Sequence, residues 1–301
     1  MALFYEEAQL ADLRFFAVTD EGVRPLPTPP HAHTFTDLLD GLPLGVYSAL
    51  RTFAHNQFLF LDAHLERTER SMRLLGWEER LNRQQLCAAL DKVVDGSPTA
   101  DCRVRFDILA QSAPQRLGTD SRLLIATMPL VPPPPEFYEN GVTVAFAAGL
   151  SRPNPRAKTA EFSQRRAKFL SGADTAVYEY LLLDGAGYIL EGSSTNFWGV
   201  RDGVLFTAGE GVLEGITRKI ILQLAPQLGI SVRLQAIHRD EVATLDEAAL
   251  SGSSRAFLPV TRIEGQVVGN GRPGPISKKL LSAYNTFVAA HIKRAEEYEH
   301  V

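Results

Sequence analysis

The sequence has 301 residues, of which 45% are hydrophobic and 22% charged, and its formal net charge at pH 7 is −4. This composition is typical of a globular protein with room for two ordinary domains, and the charge gives no broad electrostatic reason to bind nucleic acid or an anionic membrane. Cys87 and Cys102 lack the spacing of a metal or redox site, and no apolar run approaches the ~18 residues of a membrane-spanning helix.

The chain begins with MALFYEEAQLADLRFF, which carries acidic residues early and has no cationic stretch followed by a long apolar run. We therefore expect no secretory signal peptide and a cytoplasmic protein. Further along, His31 and His33 form a pair that has no acids or cysteines nearby in ligand spacing. Two such ligands do not make a metal site, so we expect none.

Residues 1–128 are expected to form a small N-terminal domain of strands and helices. Segments rich in β-branched and aromatic residues predict strands at 44–51, 103–110 and 122–128. Apolar residues at helical spacing predict helices at 64–75 and 82–94, the second of them capped by Asn82.

Four consecutive prolines occupy positions 132–135. Proline lacks a backbone donor and favours an extended polyproline conformation, so neither a helix nor a central strand can cross this run. We interpret residues 129–140 as an interdomain linker and residues 141–301 as a second, larger domain.

The second half begins with a predicted strand at 142–148, then the loop LSRPNPRAK and a predicted helix at 161–170. Glycine-containing turns predict two hairpins, at 181–190 and 196–207. Helices are predicted at 217–228, where Pro226 distorts the last turn, and at 277–298. Strands followed by helices in both halves predict an α+β architecture.

Gly215, Ile216 and Thr217 open a predicted helix, where free backbone N–H groups can bind an anion such as a phosphate. Alone, this pattern is more typical of an ordinary helix cap than of an anion site. The preceding glycines give G-x-G-x-x-x-G at 209–215, which differs from the dinucleotide fingerprint G-x-G-x-x-G. No acidic residue closes a second strand, so we exclude an NAD site.

Two motifs carry a specific resemblance. E-G-x-S-x-N at residues 191–196, followed by L-x-G-I-T-R at 213–218, resembles the signature of class IV aminotransferases. This family includes branched-chain aminotransferases, D-amino-acid aminotransferases and aminodeoxychorismate lyases. The resemblance implies the two-domain, fold-type IV architecture, pyridoxal 5'-phosphate as cofactor, and a homodimer whose sites are built across two subunits.

In the family, the cofactor-binding lysine lies a little over thirty residues before the glutamate of the signature. Lys158 precedes Glu191 by 33 residues, whereas Lys168 precedes it by 23. Lys168 also lies within a predicted helix beside Arg165 and Arg166, where a solvated charge is expected. Lys158 is therefore the candidate lysine, and a plain surface lysine is the alternative.

The resemblance also assigns roles to other residues. Lys158 would bond to the cofactor aldehyde and then move the substrate α-proton, and a carboxylate at Glu191 would accept the N–H of the cofactor ring. Arg67, in an H-x-x-R segment that begins at His64, would bind the phosphate. The remaining candidate cofactor-binding residues are Asn196, Ile216, Thr217, Ser253 and Ser254.

Some positions depart from the family pattern. Branched-chain enzymes place a tyrosine about five residues after the lysine, but Lys158 is followed by T-A-E-F-S. The strand that often reads F-E-x-x-R begins here with Tyr47, so Ser48 replaces the glutamate. Arg103 and Arg105 share one face of a strand, where one of them could bind a substrate carboxylate; a surface or ion-paired role fits the sequence equally well. We name Tyr47 and Arg105 as candidate substrate-binding residues.

We therefore expect transfer of an amino group between a small amino acid, branched-chain-like or other, and a 2-oxo acid. Two alternatives stay open. One is a pyridoxal-phosphate-dependent aminodeoxychorismate lyase that releases pyruvate. The other is a non-catalytic relative that keeps the fold.

Overall fold

A computed structural model of the chain describes residues 13–298. The first twelve residues, on which the expected absence of a signal peptide depends, lie outside the described part. The described chain forms two compact units. The first contains residues 13–131, Ala157–Lys168 and 291–298, and the second contains Pro132–Arg156 and Phe169–Ala290. The predicted division into residues 1–128 and 141–301 stays a prediction, and it does not include the two later segments of the first unit.

The strands are short and are distributed over both units. In chain order they are β1 (Arg14–Thr19), β2 (Gly22–Leu26), β3 (Val46–Arg51), β4 (Gln57–Leu59), β5 (Cys102–Ile108), β6 (Leu123–Pro129), β7 (Val142–Phe146), β8 (Glu179–Leu183), β9 (Tyr188–Gly192), β10 (Asn196–Arg201), β11 (Val204–Thr207), β12 (Val232–Leu234), β13 (Ile237–His238), β14 (Glu247–Gly252), β15 (Ala256–Ile263), β16 (Gln266–Val267) and β17 (Ile292–Arg294).

The helices alternate with these strands along the chain. In chain order they are α1 (Leu61–Leu74), α2 (Arg83–Asp95), α3 (Pro114–Leu117), α4 (Pro135–Asn140), α5 (Ala160–Leu170), α6 (Ile216–Gln227) and α7 (Pro275–His291), with 3-10 turns at Asp37–Leu39, Arg239–Thr244 and Ala295–Tyr298.

The first unit is built on an antiparallel sheet with the strand order β2-β1-β6-β5-β3. Leu86 and Leu90 of α2 are fully buried and belong to one core cluster with Phe106 of the sheet. Phe35 and Leu39 belong to a second cluster that contains Tyr47. Because the sheet is covered on both faces, its strands lack a clean alternation of polar and apolar residues.

The second unit contains strands that close on themselves. β10, β14, β15, β7, β8 and β9 are paired in this order, and β9 pairs with β10 again through Glu191 and Asn196. Phe197, Leu250 and Leu258 are fully or almost fully buried in a cluster to which these strands contribute side chains. The E-G-x-S-x-N motif therefore closes the ring of strands.

Most predicted elements of the sequence are present with shifted ends. The prolines at 132–134 precede α4, which begins at Pro135, where a missing N–H costs nothing. α2 has the predicted cap, since the side chain of Asn82 accepts a hydrogen bond from the N–H of Gln85 at 3.0 Å. α6 includes Pro226 in its last turn and ends one residue later.

The prediction of one helix over residues 277–298 is wrong at its C-terminal end. α7 ends at His291, and the chain continues as β17, which pairs with β4 through Ile292 and Leu59. Pairing of Ile292–Arg294 with a distant strand overrides any local helical preference there, and the A-E-E-Y sequence that follows forms the 3-10 turn Ala295–Tyr298. The strands β1 and β2 were not predicted. Pro25 lies within β2, which tolerates a proline because it is an edge strand of the sheet.

Within residues 13–298, no helix is both long enough and apolar enough to span a bilayer. The same part of the chain contains no group of three or more His, Cys, Asp or Glu side chains that could hold a metal ion.

Candidate active site

In the first unit, Lys158 lies on a segment that covers the free edge of β3. The carbonyl of Lys158 accepts a hydrogen bond from the N–H of Tyr47 at 3.0 Å, and the N–H of Ala160 donates to the carbonyl of Gly45 at 2.9 Å. The N–H of Lys158 donates to the hydroxyl of Ser71 at 3.1 Å. These hydrogen bonds fix the backbone of the candidate lysine on both sides of its side chain.

Two cations contact the ring of Tyr47. The Nζ atom of Lys158 lies 4.6 Å from the ring centre, and the guanidinium carbon of Arg105 lies 4.0 Å from it. Arg105 also donates to both carboxylate oxygens of Asp107, at 2.7 and 2.6 Å. Burial opposes the charge of Arg105, but the Asp107 carboxylate raises the pKa of this guanidinium above its usual value. The expected role of Arg105 in binding a substrate carboxylate stays a prediction.

Arg67 is part of a buried polar cluster with His64 and Ser48. The hydroxyl of Ser48 lies 2.8 Å from Nδ1 of His64 and accepts a hydrogen bond from Nη2 of Arg67 at 3.0 Å. Burial, followed by the charges of Arg67 and Lys158, lowers the pKa of His64 well below 6.5. The imidazole is therefore neutral, and Arg67 supplies the positive charge of this cluster.

In the second unit, Glu191 is a buried carboxylate surrounded by donors. One oxygen accepts a hydrogen bond from Nε of Arg152 at 2.8 Å, in an ion pair whose side chains are 6% and 2% exposed. The other oxygen accepts from the N–H of Leu213 at 3.1 Å and from the amide of Asn196 at 3.4 Å. A carboxylate in this environment is an acceptor fixed in position, because each oxygen is already held by a donor.

A β-bulge sets the direction of Glu191. Leu182 of β8 pairs with Glu191, but the next residue, Leu183, pairs with Ile189, so Leu190 is an extra residue on β9. Regular alternation would put Glu191 on the same face as Ile189, which packs in the core of the unit. The extra residue turns Glu191 to the opposite face, which is how bulges commonly redirect side chains near functional sites.

The start of α6 is packed against Asn196. The Asn196 amide donates to the carbonyl of Leu213 at 2.9 Å, and a Cβ atom at Gly215 would lie 2.2 Å from the Asn196 side-chain oxygen. Gly215 is the N-cap residue of α6, and Ile216 and Thr217 are buried in its first turn. The first N–H groups of a helix have no partner within it, so this end of α6 can donate to an anion.

Ser253 and Ser254 form the tip of the hairpin between β14 and β15 and are partly exposed. The next residue, Arg255, connects this tip to the E-G-x-S-x-N loop, because its Nη1 donates to the Ser194 hydroxyl at 2.8 Å. Its Nε donates to the hydroxyl of Tyr178 at 2.8 Å. Arg255 therefore holds the hairpin tip in place.

The structure gathers the candidates into two groups, one in each unit. Lys158, Tyr47, Arg67 and Arg105 surround the edge of β3 in the first unit, and the second group contains Glu191, Asn196, Ile216, Thr217, Ser253 and Ser254.

Sequence reasoning missed Arg152, Asp107, Arg255 and the hydrogen bonds of Ser48. The i, i+2 spacing of Asp107 and Arg105 on a strand was a usable signal for their pair. The others are recognisable only from contacts between distant parts of the chain.

The class IV aminotransferase family matches residues 45–263 of this chain. The chain belongs to the class IV aminotransferase family, as its two motifs indicate, and it is an enzyme that transfers amino groups. This confirms the predicted family and activity.

Known relatives and structures agree with this assignment. The chain is 27% identical to the D-alanine aminotransferase of Bacillus licheniformis over 246 residues, which cover 79% of this chain and 86% of that protein. It is 43% identical to the branched-chain-amino-acid aminotransferase of Escherichia coli K12 over 108 residues, or 35% of each protein. The branched-chain aminotransferase of Thermoproteus uzoniensis, solved with norvaline, has a TM-score of 0.72 at 22% identity, covering 94% of this chain and 98% of that one. The predicted α+β, fold-type IV architecture is thereby confirmed.

Proposed function

We propose that this enzyme uses pyridoxal 5'-phosphate, bound to Lys158, to transfer an amino group between a small amino acid and a 2-oxo acid. The observation that carries the proposal is the buried carboxylate of Glu191, held by Arg152 and by the N–H of Leu213. A carboxylate that keeps its charge in the interior needs compensating donors. This one has the chemistry required to accept the N–H of a protonated pyridine ring.

The other end of the cofactor is a phosphate, and the chain offers two kinds of donor for it. The first turn of α6 presents the backbone N–H groups of Ile216 and Thr217. Arg67 supplies a planar cation that can donate two parallel hydrogen bonds. In the described residues the Thr217 hydroxyl makes no hydrogen bond with the protein, which leaves it as a further donor.

Lys158 supplies the amine. Its backbone is hydrogen-bonded on both sides, so its side chain starts from a fixed position beside the ring of Tyr47. With the cofactor bound, the Nζ of Lys158 would be the base that takes the substrate α-proton and returns it at another carbon.

When bound, the cofactor would supply an aldehyde that reacts with the amino group and a ring that takes up the electron pair left when the α-proton is removed. Glu191 keeps the ring nitrogen protonated by accepting its N–H, and Arg152 keeps Glu191 in place. Arg67 and the start of α6 keep the phosphate from leaving with the product.

The class of substrate is proposed from the relatives. The matched proteins are named as aminotransferases of D-alanine and of branched-chain amino acids, and all of these substrates have small or medium apolar side chains. We propose a donor of this class with a 2-oxo acid as acceptor. A screen of D- and L-amino acids, followed by the spectral change of the cofactor, determines the donor and its stereochemistry.

The role of Lys158 is tested by comparing Lys158→Ala with Lys168→Ala. The wild type and Lys168→Ala are expected to show the visible absorbance of lysine-bound cofactor and to turn over an amino donor. Lys158→Ala is expected to lose both. Retention of the absorbance band in Lys158→Ala would contradict the proposal, as would its loss in Lys168→Ala alone.

We also propose, from the family resemblance, that the enzyme is a homodimer. Light scattering is expected to give twice the mass of one chain, and a mass of one chain contradicts this. The cytoplasmic location stays a prediction from the sequence.

A further inference from the structure

Three polar side chains are buried together where β3 packs against α1. Ser48, His64 and Arg67 are 0%, 2% and 6% exposed. Ser48 lies between the other two, 2.8 Å from Nδ1 of His64 and 3.0 Å from Nη2 of Arg67. Nη2 of Arg67 is also 3.5 Å from Nδ1 of His64. At these distances, the donor or acceptor role of each group determines the roles that the other two can take.

The direction of the hydrogen bonds follows from the chemistry of the groups. A guanidinium only donates, so Ser48 Oγ accepts from Arg67. The hydroxyl has a single hydrogen, and a neutral His64 can accept it at Nδ1. The single N–H hydrogen of the neutral imidazole must then be on Nε2.

A positively charged His64 is disfavoured in the same place. It would bring a second buried cation next to Arg67, and burial together with Arg67 and Lys158 lowers the pKa of this imidazole. A neutral His64 with its hydrogen on Nε2 agrees with both the geometry and the electrostatics.

We propose that Ser48 is a positioning residue for the phosphate of the cofactor. It holds Nη2 of Arg67 and fixes His64 as the neutral Nε2–H tautomer, so that the guanidinium is oriented before the phosphate arrives. This inference rests on the proposed function, in which Arg67 binds the phosphate.

The reason is the flexibility of arginine. A long side chain that must become ordered when its ligand binds loses affinity through the entropy of ordering. A hydrogen bond from a buried hydroxyl, combined with packing against a neutral imidazole, removes that loss in advance. Ser48 therefore acts through Arg67 and has no need to contact the cofactor itself.

The test compares Ser48→Ala with Thr68→Val, both titrated as apoenzymes with pyridoxal phosphate and with pyridoxal, which lacks the phosphate. Thr68 is as buried as Ser48, follows Arg67 on α1, and donates from its hydroxyl to the backbone carbonyl of His64. Ser48→Ala is expected to weaken binding of pyridoxal phosphate about tenfold and to change pyridoxal binding less than about twofold. Thr68→Val is expected to bind both compounds as the wild type does.

Arg67→Ala provides the second arm of the test. It is expected to abolish the preference for the phosphorylated compound, and adding Ser48→Ala to it is expected to cause no further loss. Equal weakening of both compounds by Ser48→Ala would overturn the proposal, as would no weakening at all. A full effect of Ser48→Ala in the Arg67→Ala background would also overturn it.

A measurement on the unmodified protein does not depend on how the variants fold. Nitrogen NMR of the imidazoles is expected to show His64 neutral, with its hydrogen on Nε2. A hydrogen on Nδ1 would overturn the proposal. Failure of the wild type to bind either compound at Lys158 would instead refute the proposed function.

Discussion

Glu191 has little contact with water, and its charge is balanced by neighbours that belong to other parts of the chain. Arg152 lies in the loop after β7, and Leu213 lies just before α6. The motif around Glu191 was sufficient to propose its role from the sequence. Arg152 could not be proposed in the same way, because the loop R-P-N-P-R-A-K reads as an ordinary turn until its contact with β9 is known.

Removing the positive charge beside Glu191 should be costly. We expect Arg152→Met to lower the free energy of unfolding by about 3 kcal/mol, since it leaves a buried carboxylate without its ion-pair partner. Urea denaturation measures this change. The control is Arg165→Met, which breaks an exposed pair with Glu161 and should cost less than about 0.5 kcal/mol. Equal losses in the two variants would show that Arg152 does not compensate Glu191.

His64 makes stability depend on pH in a defined direction. Its pKa is lowered in the folded protein. Below about pH 6.5, His64 therefore binds a proton in the unfolded chain but stays neutral in the folded chain. The free energy of unfolding is therefore unaffected by His64 titration above about pH 6.5, and it decreases as the pH falls below that value, by up to about 1.4 kcal/mol per pH unit. Unfolding at pH 7.5, 6.0 and 5.0 is expected to show a shallower loss for His64→Gln. Replacing exposed His33 with Gln should give the same dependence of unfolding free energy on pH as the wild type. An identical dependence in all three proteins would show that His64 does not cause it.

At the scale of elements, hydrophobic spacing predicted most helices and many strands, because α1, α2 and α6 each bury one face. Hydrophobic spacing could not predict the position at which the side chains of a strand switch from one face of the sheet to the other. The extra residue Leu190 in β9 interrupts the alternation on which such predictions rest. Neither Leu190 nor its two neighbours, Ile189 and Glu191, is a glycine or proline, so the local sequence does not indicate a bulge.

The junction between α6 and the closed strands depends on the absence of a side chain. We expect Gly215→Ala to lower the free energy of unfolding by about 1–3 kcal/mol, because its Cβ would meet the Asn196 oxygen at 2.2 Å. It should also weaken cofactor binding, since Asn196 contacts Glu191. Gly172→Ala is the control, because a Cβ there meets no atom within 4 Å. A Gly215→Ala protein as stable as Gly172→Ala would contradict this view of the junction.

At the scale of the whole molecule, the sequence predicted the fold class, whereas the division into residues 1–128 and 141–301 stays a prediction and does not include the two later segments of the first unit. The proline run is a strong local signal of a break. Residues 157–168 and 291–298 belong to the first unit although they follow residues of the second unit in the chain. They join it by pairing with β3 and β4, and such long-range pairing leaves no local sequence pattern to detect.

The C-terminal segment is expected to be needed for the stability of the first unit. The N–H groups of Ala295 and Glu296 donate to the buried carboxylate of Asp91 at 3.0 and 2.7 Å, and the Tyr298 hydroxyl donates to the carbonyl of Phe58 at 2.9 Å. A chain that ends at Ala290 should lose at least about 3 kcal/mol, since each hydrogen bond to a charged group contributes roughly 1.5–3 kcal/mol.

Thermal and urea midpoints measure this loss, and a chain that ends at Tyr298 is the control. Equal midpoints for the two shortened proteins would show that the contacts to Asp91 and Phe58 contribute nothing to stability.

The same arrangement has a consequence for biosynthesis. A ribosome adds about 5–20 residues per second, so on the order of ten seconds pass between the synthesis of residue 131 and that of the segment that pairs with β4. During this interval the nascent chain carries an open edge at β3 until residues 157–160 emerge, and an unpaired β4 for longer still. Open strand edges invite association with other chains, so the growing polypeptide is most in need of chaperone protection before its last residues are made.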